Sequence, residues 1–205
     1  MTDSNTPMLI YSALILFAYL VGSIASAIVV CKLMGLGDPR SHGSKNPGAT
    51  NVMRLHGKKA AMLTLAGDVL KGVIPILLAK TIKAPDMVIA FAGVAAFAGH
   101  LYPVFFGFRG GKGVATFVGV LLGTSWLLGL AFIGTWLIVA FLFRYSSLAA
   151  LVAAILTPVY TALLLTSPYY IACQILMVIF LFWRHRSNIK KLIAAKEDKI
   201  ELNKI

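Results

Sequence analysis

VATFVGVLLGTSWLLGLAFIGTWLIVAFLF, running from Val114 to Phe143, carries no charge from end to end. A helix needs about 20 apolar residues to cross a bilayer core, so the stretch is long for one span and short for two. Its division decides the fold, and the surrounding sequence supplies the test. The chain is 59% hydrophobic with a mean hydropathy of +0.86 over 205 residues, beyond what a soluble domain of roughly half apolar content carries. The reading is an all-α, polytopic integral membrane protein. Met8 to Cys31 and Met87 to Phe106 are further uncharged runs, and Ala60 to Ala79 is a membrane-length run interrupted by Asp68 and Lys71. Tyr145 to Trp183 contains Thr166-Ser167-Pro168 near its middle. Ser-Pro starts turns better than it continues helices, which predicts two spans, one ending near Leu165 and one starting near Tyr169.

Charge fixes the sides, because Lys and Arg accumulate in cytoplasmic loops. The loop after the first span holds Lys32, Arg40, Lys45, Arg54, Lys58 and Lys59 against Asp38 alone. The C-terminal tail is basic too, with Arg184, Arg186, Lys190, Lys191, Lys196, Lys199 and Lys204, whereas the N-terminal segment has Asp3 and no basic residue. Loop and tail are therefore expected in the cytoplasm and the N-terminus outside, which requires an odd number of crossings. A single crossing by Val114–Phe143 would carry the basic tail outside. The parity predicts a hairpin breaking near Gly123-Thr124-Ser125, hence about seven transmembrane helices, with the fourth and fifth short and internal; the alternative is one long tilted span with a different break later. Limbs of about 15 residues reach only about 22 Å and would need shielding by protein or water.

The N-terminal segment lacks a positive n-region and an Ala-x-Ala-like site, so the first span is expected to remain. Cys31 and Cys173 lie in or beside apolar runs without Cys-x-x-Cys spacing, which points to neither a zinc site nor a disulfide framework. No internal repeat or soluble domain is visible, and residues 1–205 read as one membrane-embedded domain.

Three polar clusters fall on the predicted cytoplasmic side. In the first, Gly43 to Arg54, the groups Ser44, Asn46, Thr50, Asn51 and Arg54 offer hydroxyls, amides and a guanidinium whose planar fork suits phosphate. The competing reading is a helix-capping turn set by Pro47. In the second, Gly110, Gly111 and Gly113 free the backbone to turn N–H groups toward an anion, Lys112 adds a cation and Thr116 lies in the following helix. It is not a Walker A loop, because after Gly107 and four intervening residues stands Lys112, where that spacing needs glycine. The competing reading is a membrane-edge turn with a snorkelling lysine. The third cluster runs from Arg184 to Glu197, with His185 and Asn188 three apart on one helix face. Asp68 and Lys71 share the same spacing inside a span, where an unpaired charge is costly, and are expected to pair. His100, followed by Pro103 at a span end, reads as an interfacial or packing residue.

These clusters resemble the signature motifs of the bacterial acyl-phosphate:glycerol-3-phosphate acyltransferase family over almost the whole chain. The resemblance rests on Gly22-Ser23-Ile24, Lys32, Gly35, Asp38, Arg40 and Gly43 through Val52 with Arg54. Asp68, Lys71-Gly72, Gly99-His100 with Pro103-Val104-Phe105, and Gly110 through Thr116 follow. Arg144 through Leu148, Arg184-His185, Asn188-Ile189, Leu192 and Glu197 complete it. Two positions depart from the pattern: Lys45 stands where glycine is common, and Ala195 where glycine often precedes the tail glutamate.

The resemblance implies transfer of a fatty acyl group from acyl phosphate to the 1-hydroxyl of glycerol 3-phosphate, giving lysophosphatidic acid and phosphate, the first step of phospholipid synthesis, in the bacterial inner membrane. It implies His185, Asn188 and Lys112 as catalytic residues. Ser44, Asn46, Thr50, Asn51, Arg54, Gly110, Gly111, Gly113, Thr116 and Glu197 would bind substrate. The expected division gives one substrate phosphate to Lys112, the glycine amides and Thr116, and glycerol phosphate to Arg54, Ser44 and Asn51. The proton acceptor is either His185 or the donor's own phosphate. No histidine has an aspartate five positions later, so the His-x-x-x-x-Asp motif of thioester-using acyltransferases is missing. Neither a cofactor nor a metal is expected, since the clusters offer only Asp38 and Glu197 as candidate carboxylate ligands. Membrane lipids and a soluble acyl-phosphate-producing enzyme are the expected partners, and nucleic acid is not. The alternative is a transporter of anions or phospholipid precursors, although transporters commonly carry repeats and midplane sites.

Overall fold

The structure, a computed structural model, describes residues 6–200, so Asp3 and Lys204 of the charge argument lie outside the described residues. Every regular element among those residues is helical: α1 (Thr6–Gly22), α2 (Ser26–Leu33), α3 (Ala49–His56), α4 (Lys58–Thr81), α5 (Asp86–Leu101), α6 (Val114–Thr124), α7 (Trp126–Phe143), α8 (Ser146–Leu164), α9 (Pro168–Arg184) and α10 (Arg186–Ile193), with a 3-10 turn at Val104–Phe106.

The Val114–Phe143 stretch divides at Ser125, whose extended backbone (φ −153°, ψ 126°) ends α6 and starts α7. Only α6 is short and internal, with 11 residues rising about 16 Å. Its close seat on α4 depends on glycine: a Cβ at Gly72 would strike the Thr116 carbonyl, and one at Gly119 the Val69 carbonyl. Small residues let backbones meet where lipid offers no hydrophobic drive between helices. The second limb departs from expectation. Helix α7 has 18 residues, only 22% of them buried, and turns Leu130, Ile138 and Phe141 outward. Composition could not foresee this, because a lipid-facing helix is as apolar as a buried one.

The first span also differs from the single run expected over Met8–Cys31. Helices α1 and α2 are bent by 48° around residues 23–25. A Cβ at Gly22 would strike the Ala96 carbonyl, and one at Gly99 the Tyr19 carbonyl, so α1 and α5 cross almost backbone to backbone. Ser23 and Ala25 at the break are buried, the condition under which non-helical backbone is tolerated at membrane depth. The break between α8 and α9 falls at Leu165–Ser167, as Ser167-Pro168 predicts.

Among the described residues, four helical segments are long and apolar enough to cross a membrane (α4, α5 with its 3-10 turn, α7 and α8), or five if the bent α1–α2 pair counts as one span; α6 and α9 are apolar but shorter. The core joins α5, α6 and α7 through edge-on rings, Phe97 to Phe117 at 6.1 Å and Phe117 to Phe132 at 5.7 Å. After α10 the tail folds back: Ile200 N–H donates to the Arg144 carbonyl at 2.7 Å, and Arg144 Nη2 donates to the Ile200 carbonyl at 3.0 Å. This return brings Glu197 and Asp198 over the end of the bundle where the polar clusters lie.

Candidate active site

The three clusters meet in one cavity of about 450 Å³. Ser44, Asn46, Thr50 and Arg54 enter from the loop before α3 and from α3 itself, Lys112 and Gly113 from the loop before α6, and His185, Asn188 and Glu197 from the junction of α9, α10 and the tail. Below them the walls become apolar, with Leu65, Val118, Leu122, Phe132, Ile133, Trp136 and Leu137 from α4, α6 and α7. The cavity thus has a polar, cationic head and a hydrocarbon compartment. A second cavity of about 540 Å³, lined by Asp38, Arg40, Lys45, Arg109 and Arg184, has charged loop walls and no comparable apolar groove.

Hydrogen bonding orients the head groups. Lys112 Nζ donates to Asn188 Oδ1 at 2.6 Å, and Asn188 Nδ2 donates to Glu197 Oε1 at 2.6 Å. An ammonium only donates and a carboxylate only accepts, so the Asn188 amide has one orientation that serves both. Ser147 Oγ donates to the same Glu197 oxygen at 2.6 Å. His185, 2% exposed, holds Nδ1 2.8 Å from the Leu181 carbonyl. A carbonyl accepts only, so Nδ1 carries the proton and Nε2 is the bare nitrogen.

Burial, more than any neighbour, shapes the titration of both groups. It lowers Lys112 to about 8, helped by Lys191, Arg54 and Arg184 and opposed by Glu197. It lowers His185 to about 4, with Lys112 and Arg184 adding to the effect while the Leu181 bond and Glu197 oppose it. At neutral pH the site holds an ammonium beside a neutral imidazole.

A cationic head on an apolar groove suits an amphiphile with a phosphate, and comparison with known proteins narrows the meaning. The glycerol-3-phosphate acyltransferase family model matches residues 12–195. The chain belongs to that family. The glycerol-3-phosphate acyltransferase of Thioalkalivibrio sulfidiphilus is 55% identical over 193 residues, covering 94% of this chain and 95% of that protein. That of Burkholderia cenocepacia strain HI2424 is 58% identical over 188 residues, covering 90% and 88%. Among solved structures, PlsY (YgiH), an integral membrane glycerol 3-phosphate acyltransferase, superposes in its glycerol 3-phosphate form with a TM-score of 0.89 at 40% identity, covering 93% of this chain and 96% of that one. Its lysophosphatidic acid form gives 0.88 at 38% identity, covering 95% and 97%.

Within this family member, several residues do something other than the sequence suggested. Thr116 is fully buried, with Oγ1 3.0 Å from His100 Nδ1, and does not reach the cavity. Asn51 borders the cavity, but its amide is a strut for the loop: Oδ1 accepts from Ser44 N–H at 3.0 Å, and Nδ2 donates to the Pro39 carbonyl at 2.8 Å. The Gly111 N–H donates to the His100 carbonyl at 3.2 Å, so it is not turned toward an anion. Gly110 lines the other cavity. These two glycines permit close packing instead: a Cβ at Gly110 would strike the His100 carbonyl, and one at Gly111 the His100 ring. Gly113 borders the cavity at φ 91°, a conformation that favours glycine.

Asp68 and Lys71 pair as expected, 2.8 Å apart and almost fully buried, and both Asp68 and His100 border the cavity. The sequence reading placed Arg184 in the basic tail and third cluster without a site role; it donates through Nε to the Gly111 carbonyl at 3.0 Å and through Nη2 to the Gly110 carbonyl at 2.6 Å. Its position beside His185 was the available signal. Nothing in the sequence marked Asp198, whose carboxylate reaches Arg54.

Proposed function

We infer that this protein catalyses transfer of a fatty acyl group from acyl phosphate to the 1-hydroxyl of sn-glycerol 3-phosphate, yielding lysophosphatidic acid and phosphate. The observation that carries this reading is the continuity of the cationic head around Lys112, Arg54 and Asn188 with the apolar groove of α4, α6 and α7. Both proposed substrates bear phosphate and one also bears a long hydrocarbon chain.

In the reaction, the glycerol phosphate hydroxyl oxygen forms a bond to the acyl carbon, the bond from that carbon to the phosphate oxygen breaks, and phosphate leaves. Acyl phosphate is already activated, so positioning, worth up to about 7 to 11 kcal/mol, and preorganised donors supply most of what is needed. Lys112 and Arg54 hold phosphate charge, with Ser44, Asn46 and Thr50 bordering the same space. Asn188 and Glu197 fix the ammonium of Lys112. The hydroxyl proton passes to the donor's phosphate, whose oxygens gain basicity as the bond to the acyl carbon breaks, toward and beyond the value of about 6 of a phosphate monoester. That makes it a stronger base than an imidazole lowered to about 4. His185 Nε2 accepts a hydrogen bond from the neighbouring 2-hydroxyl and so aims the 1-hydroxyl, whose single proton goes to the phosphate.

The same reading makes residues 1–205 one membrane domain in the bacterial inner membrane. It comprises seven crossings, an external N-terminus, a cytoplasmic site and a soluble enzyme that delivers acyl phosphate. The basic loop and tail support the orientation. Introduced cysteines at Lys59 and Lys196 should be labelled only from the cytoplasmic side of sealed vesicles.

The deciding assay gives purified protein glycerol 3-phosphate with either acyl phosphate or an acyl thioester and measures lysophosphatidic acid. Product from acyl phosphate is expected. Product from the thioester alone overturns the donor, and product from neither favours transport.

A further inference from the structure

We propose that His100 is a positioning residue for Lys112, wedged beneath the Gly110–Lys112 loop and locked there by a buried Asp68–Lys71–Thr116 network. The proposal rests on Lys112 serving the acyl transfer inferred above, but its central measurement does not require that activity.

The loop rests on His100 twice. Gly111 N–H donates to the His100 carbonyl at 3.2 Å, and the imidazole fills the space that a side chain at Gly111 would need. The ring is itself fixed. Nδ1 lies 3.0 Å from Thr116 Oγ1 on α6 and 3.5 Å from Asp68 Oδ1 on α4. The same Asp68 oxygen is 2.8 Å from Lys71 Nζ, which also donates to the Ile24 carbonyl at 2.9 Å. That carbonyl belongs to the break between α1 and α2. One chain of contacts therefore runs from the broken first span through α4 and α5 to the loop that carries Lys112. On the loop's other side, Arg184 holds the Gly110 and Gly111 carbonyls. Lys112 follows directly and reaches Asn188.

Stability alone does not account for this network. Two charges and an imidazole, each no more than about 6% exposed, occupy membrane-spanning helices where apolar side chains would pack at less cost. What the polar groups add is direction: Lys71 pairs with Asp68, Thr116 and Asp68 flank His100 Nδ1, and the carbonyl and ring of His100 meet the loop.

The test uses His100→Ala and the near-isosteric Thr116→Val, which removes one hydroxyl contact and preserves volume. In full-length protein reconstituted without substrate, the reaction of Lys112 with trace acetic anhydride is followed by peptide mass spectrometry across a pH series. The unaltered protein should show a midpoint near 8. Both variants should show it raised by about one unit or more, toward the ordinary lysine value of about 10.4, as the loop loosens into water. The kcat/KM for acyl transfer should fall about tenfold or more in His100→Ala and less in Thr116→Val. A loss of activity or thermal stability with the Lys112 midpoint unmoved overturns the proposal, because it assigns the network to packing alone. If His100→Ala fails to fold, Thr116→Val decides by the same midpoint. A shifted midpoint in a protein without acyl transfer leaves the positioning role standing and removes the proposed reaction.

Discussion

Asp198 sets its Oδ2 2.9 Å from Arg54 Nη1, so the guanidinium proposed to meet a substrate phosphate is held by a carboxylate of the protein's own tail. The pair is half exposed, 42% for Arg54 and 66% for Asp198. Such pairs are worth up to about 1 kcal/mol, or roughly fivefold in an equilibrium. Asp198 occupies one of the guanidinium N–H donors and neutralises part of its charge, so it competes with a substrate phosphate. Asp198→Asn should therefore lower the KM for glycerol 3-phosphate two- to fivefold on that scale, with kcat nearly unchanged. Steady-state kinetics check it, and an unchanged or higher KM removes Asp198 as a competitor.

The alkaline limb of the pH profile should belong to Lys112. Its protonated form is the one that holds phosphate, and half of it is gone at about 8, so kcat/KM should decline above that pH. Arginine stays charged throughout the accessible range, so Lys112→Arg should lose the limb while retaining part of the activity. Lys112→Met should lose roughly 10- to 100-fold, the scale of a hydrogen bond to a charged group. A limb that persists in Lys112→Arg assigns it to another group.

His185 should leave no acid limb near its ordinary pKa, because burial keeps it neutral down to about 4. If the donor phosphate takes the proton, an acid limb below about 6, the phosphate-monoester value, should remain in His185→Gln, with activity reduced by about tenfold or less. General-base catalysis is worth about 10²- to 10⁴-fold, so a loss on that scale together with loss of the limb makes the histidine the base.

The sequence disclosed the Ser125 and Ser167-Pro168 breaks because an uncharged run was too long for one helix and carried turn residues inside it. It did not disclose the α1–α2 bend, since Met8 to Cys31 is uncharged and of one-span length, so Gly22-Ser23 within it does not by itself signal a break, and the bend arises where Gly22 meets α5. The convergence of Lys112, His185 and Asn188 could be anticipated from chemistry on one membrane side. The roles of Thr116, Asn51 and the first two loop glycines could not. Glycines that cradle an anion and glycines that admit a histidine ring look alike in one dimension.

Lys45 and Ala195 make the opposite case, a departure from family pattern that the backbone explains. Lys45 has φ 56° and Ala195 φ 53°, both in the left-handed region where glycine is unstrained. A side chain there costs about 1 to 2 kcal/mol, while glycine gives back roughly half to one through its freer unfolded chain. Lys45→Gly and Ala195→Gly should each stabilise the protein by about 0.5 to 1 kcal/mol. The check is detergent-solubilised thermal unfolding, with activity retained. A lower melting temperature for either shows that its side chain has contacts that outweigh the strain.

Val118 lies where the apolar compartment passes between α6 and α7, in a wall shared with Leu122, Ile133 and Trp136. Val118→Trp should fill space that the distal part of an acyl chain occupies, and each methylene denied burial costs about 0.8 kcal/mol, or nearly fourfold in affinity. The variant should therefore lose long-chain acyl phosphate far more than short-chain donor. Its KM for glycerol 3-phosphate should hold, because Arg54 and Lys112 are untouched. Competition between donors of different length in one reaction mixture measures the ratio directly. An equal loss for all lengths places the chain outside this groove, and the amphiphile reading of the cavity falls with it.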